Sequence, residues 1–362
     1  MSSKSHPENS NSASSGPREE GSQPLSAEQL LPAVEPPSAG FILQLFVVPG
    51  LIVLAVFLLV SAIGWMRSAQ EDPLVKVEAL RRGNQARWQQ AFELAQMLMK
   101  EGDDSPALKE NAQLAKEIAL LLKEELDAAN TDENSISLRY YLCRILGEFR
   151  VDEGVGVLLE VARIDGERDV RREAVNAMAV LGDTYNSMEP PRLLAHPKLV
   201  ESLVELASDQ DDLIRSQVAY ALGVIALQEG ADERLLFELE KLVDDLYADA
   251  RFNAALGLAR RGNLRAVDAL TEMFDPQAIE ISIANEKTAA LQAFKRNTIL
   301  KNALEATGML LAKNPQIALP EVTQALRRFV ESASDWQEPA PVPADLVERA
   351  QALLEAAAQE QP

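Results

Sequence analysis

The feature that most constrains this chain is one uninterrupted apolar run, from Phe41 to Met66. The run has no charged side chain, only Gln44 and Ser61 in it are plainly polar, and seventeen of its residues are Phe, Ile, Leu or Val. As a helix rising about 1.5 Å per residue it would be about 39 Å long, enough to cross a hydrocarbon core of about 30 Å. A core helix of a soluble domain keeps a polar edge, and a cleaved signal peptide would be shorter and begin near the N-terminus. The run therefore predicts a transmembrane helix over 41–66 that ties the chain to a lipid bilayer.

The charges on either side of the run predict its orientation. Residues 21–40 contain no Lys or Arg, whereas five positive residues follow the run, namely Arg67, Lys76, Arg81, Arg82 and Arg87. Positive flanks stay in the cytoplasm. We therefore expect the N-terminus outside and the large C-terminal part in the cytoplasm. The single cysteine, Cys143, agrees with this side, because one cysteine cannot build an internal disulfide framework.

The net charge limits the classes of partner. The whole chain carries −21; residues 1–40 contribute two positive and five negative side chains and the apolar run none, which leaves −18 on residues 67–362. An acidic body repels nucleic acid and anionic lipid surfaces, so we expect no nucleic-acid partner. Residues 1–40 are rich in Ser, Pro and Glu without apolar periodicity, and this composition predicts a disordered tail.

Beyond the apolar run the chain contains an internal repeat. Four segments align on Arg139, Arg171, Arg215 and Arg251, and in each an apolar residue stands one position before the Arg and others follow three, six and seven positions after it. Residues at this spacing lie on one face of an α-helix. An Asp shortly before three of the four Arg residues suits a helix N-cap. A partner helix accompanies the repeats at 155–164, 198–207, 233–243 and 266–274, so each unit is predicted to be a helical hairpin.

The repeated motif Asp-Val-Arg-x-x-Ala-x-x-Ala-Met/Leu-Ala/Gly, with Leu-Gly-Asp after it, resembles HEAT repeats, especially the HEAT-like repeats of phycobilisome lyases. The resemblance covers residues 136–312. It implies an all-α fold, an α-solenoid of HEAT-like hairpins, in addition to the N-terminal transmembrane helix. It also implies a structural polar ladder of Asp and Arg between neighbouring units. The matching positions in this chain are Asp169, Arg171, Asp212, Arg215, Asp249 and Arg251.

The remaining segments complete the predicted organisation. Residues 67–135 should hold juxtamembrane and capping helices, 136–330 the solenoid, and 331–362 a loop and a C-terminal helix. An insertion at 276–298 interrupts the repeat before a weaker last unit. Within the repeats, Leu146, Met178 and Leu222 occupy one register position and should be buried, whereas Asn176 and Ser216 should be largely exposed.

Catalytic signals are sparse. The chain has two histidines, His6 in the predicted tail and His196 in a Pro-flanked loop, and one cysteine, so no His/Cys metal site can be assembled. No phosphate-binding loop, GxSxG, HExxH or EF-hand pattern occurs. We therefore predict no enzyme activity and no cofactor.

Two functions from different classes remain open. The first is a single-pass membrane scaffold or adaptor whose cytoplasmic solenoid binds an unidentified partner protein. The alternative, implied by the lyase resemblance, is an enzyme or enzyme subunit of lyase-like type. The shared motif is the generic repeat, and a fold does not imply a reaction. A concave apolar or charged stripe over several repeats would favour the scaffold, and a single deep pocket with convergent polar groups would favour the enzyme.

Overall fold

The computed structural model describes residues 39–68, 77–78, 80–81, 87–100 and 106–359. The predicted disordered tail, except for its last two residues, lies outside the described residues. The chain divides into two units, one ending at residue 70 and one that begins at residue 71.

The first unit contains helix α1 (Ala39–Ser68), which continues through Pro49. Its segment Leu43–Ala62 is long and apolar enough to cross a membrane, and none of it is buried. Large side chains such as Phe57 and Leu59 are at least 60% exposed. A core helix of a soluble protein would bury such side chains, so the exposure sets this helix apart from every other helix of the described chain.

In its described residues the second unit is built from helices alone. They are α2 (Arg87–Lys100), α3 (Pro106–Lys109), α4 (Ala112–Ala128), α5 (Glu133–Gly147), α6 (Val155–Ile164), α7 (Arg168–Asn186), α8 (Leu199–Leu206), α9 (Asp212–Ile225), α10 (Glu233–Leu242), α11 (Ala248–Arg260), α12 (Val267–Glu272), α13 (Pro276–Ile283), α14 (Ala289–Lys313), α15 (Pro320–Ser332) and α16 (Ala344–Gln359), with 3-10 turns at Leu264–Ala266 and Ala333–Asp335.

The helices of this unit form two layers. One layer runs α2, α5, α7, α9, α11, α14, α16, and each helix in it packs on the next. In the other layer α4, α6, α8 and α10 pack in sequence, and α12 packs on α15. One hydrophobic core runs from Val77 to Ala350 between the layers. The unit is thus an all-helical repeat array, as the HEAT-like resemblance implies, and its continuous core gives it the means to fold without α1.

The predicted apolar register is confirmed. Leu146, Met178 and Leu222 are at most 1% exposed. The prediction for Ser216 is wrong, because Asn253 of α11 covers it and donates from Nδ2 to its carbonyl at 3.0 Å and to its Oγ at 3.2 Å. Asn176 is half-buried for a similar reason, since its Oδ1 accepts a hydrogen bond from Gln217 of α9.

Helices α5, α7, α9 and α11 pack closely because small residues lie at their contacts. A Cβ atom added at Gly147 would lie 2.8 Å from the Cα of Ala177, and one added at Gly257 would lie 2.5 Å from the Cα of Gly223. Glycine at these positions lets the backbones of α5 and α7, and of α9 and α11, approach more closely than any larger side chain permits.

The predicted N-caps need correction. Asp169, Asp212 and Asp249 all lie inside the first turn of their helices, whereas the N-cap residues are Glu167, Asp211 and Tyr247. Of these caps, only the Asp211 carboxylate accepts a hydrogen bond from its helix, from the Leu213 N–H. A carboxylate in the first turn is still favourable, because it lies near the positive end of the helix dipole. Charge, not capping, accounts for this recurring Asp.

Candidate functional site

The repeat arginines connect neighbouring hairpins at the start of the helices of one layer. Arg139 donates from Nε to Asp165 Oδ2 at 2.7 Å, and from Nη1 to the Asn130 carbonyl at 2.8 Å. Asp165 lies in the loop that leads into the next hairpin's helix α7. The Arg139 side chain is only 4% exposed and that of Asp165 only 1%. The pair therefore ties α5 to the following unit through a buried, charge-assisted hydrogen bond.

The pattern recurs along the array. Arg215 donates from Nε and Nη2 to the two carboxylate oxygens of Asp245, at 2.7 and 2.9 Å, and Arg251 makes the same two-pronged contact with Glu272. Arg171, Arg215 and Arg251 also donate from Nη1 to the carbonyl six residues earlier, that of Asp165, Asp209 or Asp245. Each of these arginines thus fixes the loop that enters its own helix.

The pairing shifts several pKa values. Arg215 and Arg251 have raised pKa values because each donates side-chain hydrogen bonds to a carboxylate, that of Asp245 or of Glu272. Burial opposes ionisation of Asp245, but the hydrogen bonds from Arg215 and from the Tyr247 N–H outweigh it and lower its pKa. These groups stay ionised at neutral pH, as a structural ladder requires.

The carboxylates of this ladder are not the predicted ones. Among the described residues, Asp169 pairs with Arg168 and Arg172 of its own helix, Asp212 is exposed, and Asp249 pairs with Lys295 of α14 at 2.9 Å. Asp165 and Asp245, which do pair with repeat arginines, lie instead in the loops just before these helices. The sequence held a partial signal, because Asp165 and Asp245, which pair with repeat arginines, each stand six residues before the next repeat arginine.

The surface of α5, α7, α9, α11 and α14 that faces away from the other layer is called here the second-helix face. Polar contacts cross it from one helix to the next: Gln217 donates to Asn176 at 3.2 Å, Asn253 donates to Ser216, and Tyr140 hydrogen-bonds to Glu173. Burial raises the pKa of Glu173. These polar contacts therefore link four consecutive repeats along this face.

An aromatic cluster occupies the α2 end of this face. Trp88 stacks on Tyr141 with ring centroids 6.3 Å apart, and Phe92 and Tyr140 each meet Tyr141 edge-on at 5.3 Å. Phe92 is 38% exposed, and the other three rings are half-buried. Partly exposed aromatic rings are typical anchors of protein interfaces.

A cleft of about 250 Å³ lies further along the same face, between α9, α11 and α14. It is lined by residues from all three helices, including Tyr220, Asn253, Leu256, Arg260 and Asn302. Tyr220 is 37% exposed. The cleft and the aromatic cluster together place aromatic rings, amides and the charged side chains of Arg260 and Glu305 along several repeats.

Among the described residues, no group of three or more His, Cys, Asp or Glu could hold a metal ion. Cys143 is buried, and burial raises its thiol pKa well above the ordinary value. His196 lines an apolar cleft of about 400 Å³ beside Leu199 and Leu235. Its Nδ1 accepts a hydrogen bond from the Lys198 N–H at 3.3 Å.

Comparisons with known proteins assign no family. No protein-family profile matches the chain, and no curated protein matches it. Among solved structures, an engineered protein is similar at 16% identity and a TM-score of 0.28, over 75% of this chain and 97% of its own. The Escherichia coli protein YibA is similar at 14% identity and a TM-score of 0.30, over 73% of this chain and 96% of its own. Human deoxyhypusine hydroxylase in complex with glycerol is similar at 17% identity and a TM-score of 0.28, over 82% of this chain and 99% of its own. Similarities at these scores carry no argument, so the repeat architecture rests on the helix contacts described above.

Proposed function

We propose that this protein is a membrane-anchored scaffold whose cytoplasmic repeat array binds a partner protein along the second-helix face. The observation that carries the proposal is the combination of an apolar helix with none of its candidate span buried and a continuous interaction surface over several repeats. An apolar helix of this length with no buried residue in its span is suited to the hydrocarbon core of a bilayer.

The orientation, with the N-terminus outside, rests on the basic residues after the span. Two of them also have structural partners: Arg81 donates to Glu117 at 2.9 Å and Arg87 to Glu125 at 2.6 Å, both on α4. These ion pairs account for part of the positive cluster independently of topology. The orientation rests on these two residues together with Arg67, Lys76 and Arg82.

The distributed surface favours a protein partner over the enzyme alternative. A scaffold binds through side chains spread over an array, and repeat arrays commonly use such extended faces. The aromatic cluster around Tyr141 and the cleft beside Tyr220 lie on different repeats of one face. A lyase-like enzyme would instead concentrate polar groups in one deep pocket.

Fractionation tests the anchor. The full chain should stay in the membrane pellet after a carbonate wash, and deletion of 41–66 should release a soluble helical protein. Protease added to intact cells should trim only the N-terminal tail. A full chain that washes off refutes the anchor, and digestion of residues 106–359 from outside refutes the orientation.

Site-specific crosslinking tests the binding face. A photoreactive residue at Tyr141 or Tyr220 should crosslink one and the same partner in solubilised membranes. The control is the same group at Phe237 of α10, which is 60% exposed but belongs to the other layer. Equal crosslinking at Phe237 refutes the assignment of the second-helix face.

A further inference from the structure

Two adjoining clefts lie where the interrupted repeat meets the C-terminal helices. One, of about 640 Å³, lies between α13, α14 and the segment 335–339, and the other, of about 720 Å³, lies between α12 and α15. Pro276 and Asp335 line both clefts, so the two form one continuous surface. The two clefts together are called here the α12–α15 groove.

The floor of the groove is apolar and aromatic. Phe274 lines the larger cleft and Trp336 the smaller one, and the Phe329 ring packs between theirs, with centroid distances of 5.8 and 5.4 Å. Phe274 and Phe329 are buried, whereas Trp336 is half-buried. This stack of rings joins the floors of the two clefts and leaves one indole in contact with the groove.

The walls of the groove are acidic. Seven carboxylate side chains line it, against the guanidinium groups of Arg296 and Arg328. Glu272 pairs with Arg251. The other six are exposed and form no ion pair within the described chain, namely Asp268, Asp275, Glu280, Glu331, Asp335 and Glu338. A cleft that combines charges of one sign with an apolar floor focuses the electric field and concentrates ions of the opposite sign.

The segment that carries the indole is held in place before any ligand binds. Arg296 of α14 is 2% exposed and donates from Nη1 to the carbonyls of Glu338 and Ala340, at 3.2 and 2.6 Å. These hydrogen bonds fix the chain just after Trp336. A preformed site loses less conformational freedom on binding, which favours affinity.

We propose that the α12–α15 groove binds an extended segment of a partner protein that is rich in Arg and Lys. The positive side chains match the unpaired carboxylates, and a guanidinium group can stack on the Trp336 indole. The groove shares no lining residue with the cleft of the second-helix face beside Tyr220, so it is a separate binding surface.

The spread of the carboxylates favours a polycation over a single ion. Among the described residues no three carboxylates are close enough to hold a metal ion. Several charges along two clefts instead match several successive side chains of one peptide. The apolar floor favours a peptide over a linear polyamine, because a peptide can place apolar side chains between its charges.

Fluorescence anisotropy of the full chain in a neutral detergent tests the groove. The probe is a short labelled peptide in which Arg and Leu alternate, and unlabelled peptide and spermine are the competitors. The groove variant combines Glu331→Gln with Asp335→Asn. The control variant combines Glu321→Gln on α15 with Glu348→Gln on α16, two exposed positions outside the groove that give the same change in net charge.

The groove variant should weaken binding of the peptide severalfold, and the control variant should weaken it much less. Equal weakening by both variants assigns the binding to the overall negative charge of the chain and overturns the groove, as does a peptide that fails to bind. Spermine that competes as well as the unlabelled peptide at equal charge overturns the assignment to a protein segment.

The indole has its own test. Trp336→Leu should also weaken binding severalfold, and unchanged affinity overturns the contact with this ring. Helical circular dichroism checks that this variant folds, because Trp336 packs on Phe329. The groove variant changes only exposed side chains, so it decides the proposal even if the Leu variant unfolds.

Discussion

The buried pair of Arg139 and Asp165 allows a sharp test of the repeat ladder. In a fragment covering 71–362, Arg139→Met removes the guanidinium but keeps most of the apolar stem. Asp165 then retains a hydrogen bond from the Glu167 N–H at 2.9 Å, but its charge loses the guanidinium in a site where the side chain is 1% exposed. Breaking a buried pair by removing one partner typically costs about 3 to 5 kcal/mol.

A matched surface pair provides the control. Arg163 and Glu205 connect α6 to α8 at 2.8 Å, but their side chains are 39% and 60% exposed. Arg163→Met should therefore cost about 0 to 1 kcal/mol. Urea unfolding followed by helical circular dichroism measures both variants against the unmodified fragment.

The double variant completes the test. Asp165→Asn removes the buried charge while its side-chain oxygen can still accept the Glu167 N–H, so Arg139→Met combined with Asp165→Asn should be more stable than Arg139→Met alone. The reasoning is refuted if Arg139→Met costs no more than Arg163→Met. It is also refuted if Asp165→Asn fails to recover stability in the Arg139→Met background.

Four further outcomes follow from the same structure, each measured on the 71–362 fragment. Gly257→Ala should cost about 1 to 3 kcal/mol of unfolding free energy because the new methyl would overlap α9, whereas Gly166→Ala, with no atom within 4 Å of the new Cβ, should not show this loss. Leu222→Ala should cost about 2 to 5 kcal/mol in urea unfolding, since the side chain is fully buried. Burial raises the pKa of Glu173 above its value in the unfolded chain, so folding favours the protonated carboxyl, and this stability is lost as the pH rises through the folded pKa. Glu173→Gln should therefore raise the urea midpoint of unfolding at neutral pH and have less effect at acid pH. An effect that does not change with pH contradicts this. Arg296 donates to the carbonyls of residues 338, 340 and 341, so Arg296→Met should speed limited proteolysis near these residues, and unchanged cleavage contradicts that role.

The spacing of apolar residues in the sequence was sufficient to predict which helical positions are buried. Leu146, Met178 and Leu222 follow the repeat arginines by seven residues, and a helical face at that spacing can be buried in only one way. Helix α6 likewise begins and ends where the apolar pattern does. Burial of an apolar face is a local property of a helix, so one sequence reveals it.

Contacts between units were harder to predict. Ser216 has a polar side chain on a nominally outer position, but its burial depends on Asn253 of the next hairpin. The ladder carboxylates depend on loops, since Asp165 and Asp245 pair with arginines 26 and 30 residues away. Such pairings are set by how one hairpin stacks on its neighbour. The sequence of a single repeat does not contain that stacking geometry.

The contact between Gly223 and Gly257 has a mechanical consequence. Where two backbones touch, no side chain remains between them that could change its rotamer and absorb a displacement. The junction of α9 and α11 should therefore resist compression, and any flexing of the array should concentrate at junctions filled by side chains, such as that of Gly182 with Ile225. A displacement of α9 should therefore be passed on to α11 with little change.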